Sequence, residues 1–443
     1  MKYIIIGGDA AGMSAAMQLV RNTKQAEITT LEQGAIYSYA QCGLPYITGG
    51  VVSQTDDLIA RKVETFRNKY GIDARILHHV TSVDAEQKTV SGTDLSSGDP
   101  FTISYDKLLV ASGGSPSVPD WPGTDKEGVH TVKTIPDIEK ITKELPAVQE
   151  TVIVGGGYIG LEMAENLIRN GQNVRIIQRA DRLVTMFDPD MGERIIEEAE
   201  KHGVTLHFEE NVTSINGTDR VTSISTETGT YPADLVIIAT GLSPNTNFLQ
   251  GTGVELFDNG AVIVNKKMET NVDSIYAAGD CAVQFHRIKQ KNDFIPLGTH
   301  ANKQGRLAGI NMGGGSKEFK GITGTSILQF FDLTLARTGL SEAEAKKDNI
   351  PFKTVVNTSS HIAGYFPGHK ELTVKLLYRT DSKQLIGAQV IGEAGADKRI
   401  DVLATAMYYG ATIDELEDLD LSYAPPYNGV WDPVQQTARR AKF

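Results

Sequence analysis

The residue best suited to chemistry is Cys42, one of two cysteines in 443 residues. It sits in Tyr-Ser-Tyr-Ala-Gln-Cys-Gly-Leu-Pro-Tyr, residues 37–46, where Gly43 and Pro45 suit the tight start of a helix. A thiol at a helix N-terminus is expected to have a depressed pKa and to be partly thiolate at neutral pH, able to attack sulfur. A cysteine taken at random is more often a buried, inert residue, so the chemical reading of Cys42 rests on the chain around it. Cys281 is expected to be such a buried small residue.

The elements that must position Cys42 begin at the N-terminus. Residues 2–6 (Lys-Tyr-Ile-Ile-Ile) form an apolar run that suits a parallel strand buried on both faces. Gly7-Gly8-Asp9-Ala10-Ala11-Gly12 follows, then a helix through about Arg21 and a second strand, Glu27 to Leu31, ending at Glu32. This is the layout of a dinucleotide-binding βαβ unit. Its glycines let the backbone approach a pyrophosphate, and an acidic residue about 20 positions on holds a ribose hydroxyl. Asp9 replaces the middle glycine, which weakens the motif; the placement between strand and helix, with Glu32 beyond, restores it. On the helix Ser14, Gln18 and Arg21 fall at i, i+4 and i+7, opposite Met13, Ala16, Met17 and Val20. That stripe reads equally as a solvated face or as one wall of a substrate channel leading to Cys42, with Arg21 ready for a phosphate.

Residues 75–106 read as short strands with turns near Gly92 and Gly98-Asp99. A buried strand then runs into Ser112-Gly113-Gly114, and Pro116, Pro119 and Pro122 punctuate a boundary. A second cycle starts at Thr151. It carries a full G-x-G-x-x-G, from Gly155 through Gly157 to Gly160, and a strand from Asn173 to Ile177 that ends at Gln178-Arg179. No acidic residue stands there to hold an NAD ribose. Arg179 offers charge to a 2′-phosphate instead, which favours NADPH or the use of both nicotinamides; the alternative is that Arg179 points to solvent. Residues 234–245 repeat the strand-to-glycine pattern. The run Thr270 to Asp280 ends in Gly279-Asp280, a strand-end carboxylate able to bond a ribityl hydroxyl. From about Phe319 strand-like stretches (Thr325–Phe331, Leu372–Tyr378, Leu385–Ile391) precede a helix at Lys398–Tyr409. An antiparallel sheet with helices on one side fits, a layer that often makes a dimer interface.

The totals narrow the function classes. Charged residues are 22% and hydrophobic ones 40%, and the net charge is −12, which argues against nucleic acid and against a polybasic membrane surface. A small anionic ligand in a local basic pocket remains compatible. Two cysteines build no disulfide framework, so a reducing compartment is the default. Met1 to Val20 reads as strand, turn and helix rather than an export signal, and no stretch reaches the roughly 18 apolar residues of a membrane span. A cytoplasmic protein without a metal site is expected.

With the two glycine loops, the Gly279-Asp280 segment and the Cys42 stretch together, the chain closely resembles the FAD- and NAD(P)-dependent pyridine nucleotide-disulfide oxidoreductases over essentially its whole length. Most members carry a C-x-x-x-x-C redox pair; here the position five after Cys42 is Ile47, which excludes that two-cysteine mechanism. The spacing of Ser38 and Cys42 is similar to the single-cysteine branch, which includes coenzyme A-disulfide reductases, NADH oxidases and NADH peroxidases. The oxidases and peroxidases carry a histidine where this chain has Ala10. Tyr365-Phe366-Pro367-Gly368 and Tyr423-Ala424-Pro425-Pro426-Tyr427 match segments of the coenzyme A-disulfide reductases.

The resemblance implies an α/β fold with two Rossmann-like nucleotide-binding domains and a C-terminal α+β dimerisation domain. Residues 1–118 with 242–322 would bind FAD, 119–241 NAD(P), and 323–443 would form the dimer. It implies FAD contacts from Gly7, Ala11, Gly12, Glu32, Gln33, Val80, Ser112, Gly113 and Asp280. NADPH or NADH would lie on Gly155, Gly157, Gly160, Gln178 and Arg179. Substrate contacts would come from Ser14, Gln18, Arg21, Ser38 and Gln41, which favours the channel reading of the first helix. The implied reaction is reduction of coenzyme A disulfide to two thiols through a Cys42–coenzyme A mixed disulfide. Tyr365 and Tyr423 would serve the departing sulfur across the interface of a homodimer. An NAD(P)H oxidase, or a reductase of polysulfide or coenzyme A persulfide, is the alternative on the same scaffold.

Overall fold

The structure, a computed structural model, describes residues 1–441. The first apolar run forms β1 (Lys2–Ile6), with β2 (Glu27–Leu31) on one side and the strand Lys107–Val110 on the other. The strand Ile275–Ala277 and β3 (Asp73–Arg75) complete a five-stranded sheet in which every pair is parallel. Four of the five β1 residues are buried, because helices cover both faces of such a sheet and leave no solvent side for polar residues. One of those helices is α1 (Ala10–Asn22), which packs on the helix Gly298–Met312. The approach is close because Gly305 lies against Ala11: a Cβ at Gly305 would fall 2.1 Å from the Ala11 carbonyl oxygen. That contact sets the exposed side of the second helix beside Ser14.

A second five-stranded parallel sheet repeats the arrangement, with Glu150–Val154 central between Asn173–Ile177 and Leu235–Ile238. The segments that leave and re-enter the first lobe, Gly114–Pro116 and Leu242–Pro244, run side by side as an antiparallel pair. Between residues 75 and 106 lies a three-stranded antiparallel sheet, His78–Asp84, Thr89–Asp94 and Pro100–Ser104. Gly92 sits inside its middle strand and not in a turn, contrary to the expectation from sequence. A Cβ there would fall 2.1 Å from the His79 carbonyl oxygen, so the neighbouring strand and not chain reversal requires the glycine.

The third lobe is a five-stranded antiparallel sheet in the order Ser326–Phe330, Leu333–Gly339, Leu385–Gly392, Glu371–Arg379, Phe352–Ser360. The helix Ala396–Tyr409 buries Ile400, Leu403 and Met407 against it. An ionic cluster joins this lobe to the second. The Lys375 ammonium, its side chain 2% exposed, lies 3.1 Å from Asp188, 2.6 Å from Asp190 and 2.7 Å from Glu342. Three carboxylates so close need a cation, and Lys375 is that cation. Lys201 does the same between Glu198 and Asp332. Among the described residues no helix is long and apolar enough to cross a membrane.

Candidate active site

Cys42 is held out from the end of the first sheet by a short, braced segment. Tyr37 is buried, and its hydroxyl donates to the carbonyls of Thr30 (3.1 Å) and Arg75 (2.9 Å). Ser38 adopts a left-handed φ of 48° and donates its N–H to the Gly8 carbonyl at 3.0 Å, which ties the segment to the first glycine loop. A single turn, Gln41–Gly43, then carries Cys42 at the surface and leads into α2 (Leu44–Thr48).

This corrects the expected thiol electrostatics. The helix after Cys42 is only five residues long, too short for a substantial dipole. The packed chain around the sulfur desolvates it, the carboxylates of Glu162 and Asp280 face it, and Lys133 only partly opposes them. The Cys42 pKa is therefore raised, not depressed. Glu162, on the helix Tyr158–Arg169, is itself pushed up to about 7 by burial and by neighbouring Glu165. Its charge disfavours the thiolate, so Glu162→Gln should lower the Cys42 pKa. The pH dependence of Cys42 alkylation measures this; an unmoved profile would show that Glu162 does not act on the thiol.

The first glycine loop forms an open cradle. Asp9 precedes α1 without capping it, so the first-turn N–H groups are left for a ligand. Glu32 braces the loop: Oε2 accepts the Gly8 N–H at 2.8 Å and Oε1 the Gly34 N–H at 2.7 Å. Ala11 and Gly12 are buried beneath the loop, where only their backbone can serve a ligand. Ser112 and Gly113 lie at the end of the adjacent strand, with Ser112 Oγ donating to the Asn245 carbonyl at 2.5 Å. Asp280 follows Gly279 just beyond the end of the strand Ile275–Ala277 and pairs with Lys133 at 3.7 Å. Gln33 is exposed, and Val80 is buried in the separate antiparallel sheet.

The second loop is built alike. A Cβ at Gly160 would fall 2.0 Å from the Gly155 carbonyl oxygen, as one at Gly12 would from Gly7, whereas one at Gly157 would meet nothing within 4 Å. Helix and loop therefore close on each other behind, and open space stays in front. Gln178 takes the brace position of Glu32: its Oε1 accepts the Gly156 N–H at 3.2 Å. Arg179 beside it is exposed, and among the described residues no ion pair engages it.

Along α1, Ser14 and Gln18 are half-buried and Arg21 is exposed. Ser14 Oγ donates to Asn302 Oδ1 at 2.8 Å, which adds a residue of the helix Gly298–Met312 to the stripe. Gln41 turns elsewhere: its Nε2 donates to Asp9 Oδ2 at 2.7 Å. Tyr365 and Tyr423, 76% and 48% exposed, lie on separate loops of the third lobe. The Tyr423 hydroxyl beside Tyr365, placed to accept from it, is the main cause of the raised Tyr365 pKa, so the structure brings these two residues together. Sequence reasoning missed Lys133, Glu162 and Asn302 as neighbours of the site and saw Asp9 only as a break in the glycine motif. Of the first three only Glu162 carried a signal, its place one turn into the helix behind the second glycine loop.

Residues 1–305 match the pyridine nucleotide-disulphide oxidoreductase family, and residues 325–433 match its dimerisation domain. The chain is similar to the NAD(P)H sulfur oxidoreductase (CoA-dependent) of Pyrococcus abyssi, with 39% identity covering 99% of this chain and 98% of the relative. It is 33% identical to the coenzyme A disulfide reductase of Staphylococcus aureus, covering 100% of both. An NAD-dependent persulfide reductase from A. fulgidus superposes with a TM-score of 0.96 at 36% identity, over 99% of this chain and 82% of that one. Two braced glycine loops, an exposed thiol near carboxylates of both lobes and a match to a dimerisation domain thus stand in one chain, which belongs to the pyridine nucleotide-disulphide oxidoreductases, a family of FAD- and NAD(P)H-dependent enzymes.

Proposed function

We propose that this enzyme reduces coenzyme A disulfide to two thiols at the expense of NAD(P)H, by way of a Cys42–coenzyme A mixed disulfide. One observation carries the reading. Cys42 is exposed, whereas Cys281 is 0% exposed and donates its thiol to the carbonyls of Val110 and Ala278, both at 3.4 Å. Cys42 has no protein thiol to pair with, so its disulfide forms with a thiol that arrives from outside. Two relatives whose names include coenzyme A support that thiol's identity. Ser14, Gln18 and Arg21 offer a polar path toward Cys42, with the Arg21 guanidinium suited to a phosphate.

In the forward step the Cys42 thiolate attacks one sulfur of the disulfide. The S–S bond breaks, one coenzyme A leaves as thiolate, and Cys42 stays bonded to the other. Tyr365 and Tyr423, supplied across the homodimer interface, hydrogen-bond the departing sulfur and give it a proton. FAD held in the first cradle would supply electrons drawn from NAD(P)H, two of which are needed to reduce the Cys42–coenzyme A disulfide to a Cys42 thiolate and a second coenzyme A thiolate. One further proton completes the second thiol, and Cys42 is again a thiolate. Gly7, Ala11, Gly12, Glu32, Ser112, Gly113 and Asp280 line the cradle that fits FAD; Gln33 and Val80 would add outer contacts. Gly155, Gly157, Gly160 and Gln178 line the cradle that fits the nicotinamide, and Arg179 would meet a 2′-phosphate. Two unpaired thiols fit a reducing, cytoplasmic setting.

Arg179→Glu should shift the preference from NADPH toward NADH by about tenfold or more, the worth of one charge-assisted contact. An unchanged ratio of kcat/KM values would make Arg179 a bystander. The name of the 39% identical relative favours a second reading, in which polysulfide or coenzyme A persulfide is reduced at the same thiol. A steady-state panel of NADPH and NADH against coenzyme A disulfide, glutathione disulfide, polysulfide and oxygen separates the two. Turnover confined to polysulfide selects the second reading, and turnover confined to oxygen removes both.

A further inference from the structure

Asp9 stands where the first glycine loop would carry its middle glycine, and it is no helix cap. Its Oδ2 accepts the Gln41 side-chain N–H at 2.7 Å, and the Tyr39 N–H reaches the same carboxylate. Both contacts land on the residues just before Cys42. The turn is also held through its backbone, by the Ala40 N–H on the Leu58 carbonyl at 2.8 Å and the Gly43 N–H on the Ala40 carbonyl at 2.9 Å; the Asp9 bond adds the side-chain contact to Gln41, the residue next to the thiol. The carboxylate is thus one anchor, on the strand–helix unit, for the turn that carries the thiol.

We infer that Asp9 is a positioning residue for Cys42: through Gln41 it fixes the turn that presents the thiol to an incoming disulfide. The inference rests on Cys42 being the reacting thiol. It gives Gln41, which family resemblance implies as a substrate contact, a further role through the amide N–H that it donates to Asp9. The charged and titratable groups facing Asp9 are Glu32 from the end of β2, Lys133 from the segment before the helix Ile135–Glu144, and Tyr39. Burial, and to a lesser degree Glu32, push Asp9 up to about 6, against the pull of Gln41 and Lys133. At neutral pH the anchor is charged and its bond to the Gln41 amide strong; below about pH 6 it is neutral and weaker.

The test uses the holoenzyme variants Asp9→Ala, Gln41→Ala, their double, and Asp9→Asn. Two quantities are read: the pH dependence of Cys42 alkylation by iodoacetamide, and kcat and KM for coenzyme A disulfide. Each alanine variant should lose about 10- to 100-fold in kcat with little change in KM, the scale of a displaced reacting group. The double should be no slower than the slower single, as expected of two ends of one link. Asp9→Asn still accepts from Gln41 but carries no charge, so it should turn over at neutral pH at about the rate the wild type shows below pH 6, and should lose the inflection at about pH 6. Flavin reduction by NADPH without disulfide should be normal in Gln41→Ala, which lies outside the glycine loop, and a damaged FAD loop would not allow this. Additive losses, or a Gln41→Ala effect on KM alone, would overturn the link. Should Asp9→Ala fail to hold FAD, Gln41→Ala and Asp9→Asn decide by themselves, and unaltered alkylation profiles in both would overturn it. Alkylation requires no disulfide substrate, so this test stands even if coenzyme A disulfide proves not to be one.

Discussion

Cys42→Ser is expected to abolish disulfide-dependent oxidation of NADPH, a loss of about 10⁴-fold or more, as for removal of a covalent nucleophile. A serine hydroxyl matches the thiol in shape and cannot form the mixed disulfide. Both nucleotide cradles are untouched by the change, so the variant should remain yellow and its flavin should still be reduced by NADPH. Loss confined to the disulfide step separates the chemistry of Cys42 from any role in folding. Normal turnover by the variant would end the thiol mechanism. The wild-type thiol should also titrate in a particular sense. Desolvation, Glu162 and Asp280 raise its pKa, so the thiolate fraction, and with it the alkylation rate, should still be climbing above neutral pH.

The second large effect is expected from the tyrosines. Tyr365→Phe with Tyr423→Phe should lower turnover by about 10²- to 10⁴-fold, the range for a lost general acid. Either single change should cost less, because the two phenols lie side by side and one can stand in for the other. If the tyrosines act across the dimer interface, mixing has a distinctive consequence. Heterodimers of Cys42→Ser with the double-Phe variant contain one site with both lesions and one with neither. Activity should reappear as subunits exchange. Continued inactivity of a verified heterodimer would contradict a shared site.

The features legible from sequence were the local ones. A buried parallel strand needs a continuous apolar run, and a nucleotide loop needs glycines at fixed spacing, so β1 and both glycine loops could be read directly. The third lobe was read less completely. Leu333–Gly339 follows its partner after only Phe331-Asp332, so the two strands merge into one stretch. Phe352–Ser360 is an edge strand whose exposed positions lack clean alternation. The site's electrostatics were not legible. Cys42 was expected to be acidified by its own helix, yet the groups that set its pKa come from three distant segments, at Lys133, Glu162 and Asp280. In the sequence Asp9 looked like damage to a motif. Its meaning depends on Gln41, 32 positions away. Cys281 is buried as expected, its thiol turned inward against the carbonyls of Val110 and Ala278.

The central claim is that Cys42 pairs with a thiol from outside the chain. The most direct measurement is mass spectrometry of the enzyme treated with coenzyme A disulfide, digested without reductant. The expected result is a Cys42 peptide disulfide-bonded to one coenzyme A, lost after a single turnover with NADPH. A disulfide between Cys42 and Cys281, or a Cys42 peptide that never takes up coenzyme A, would contradict it.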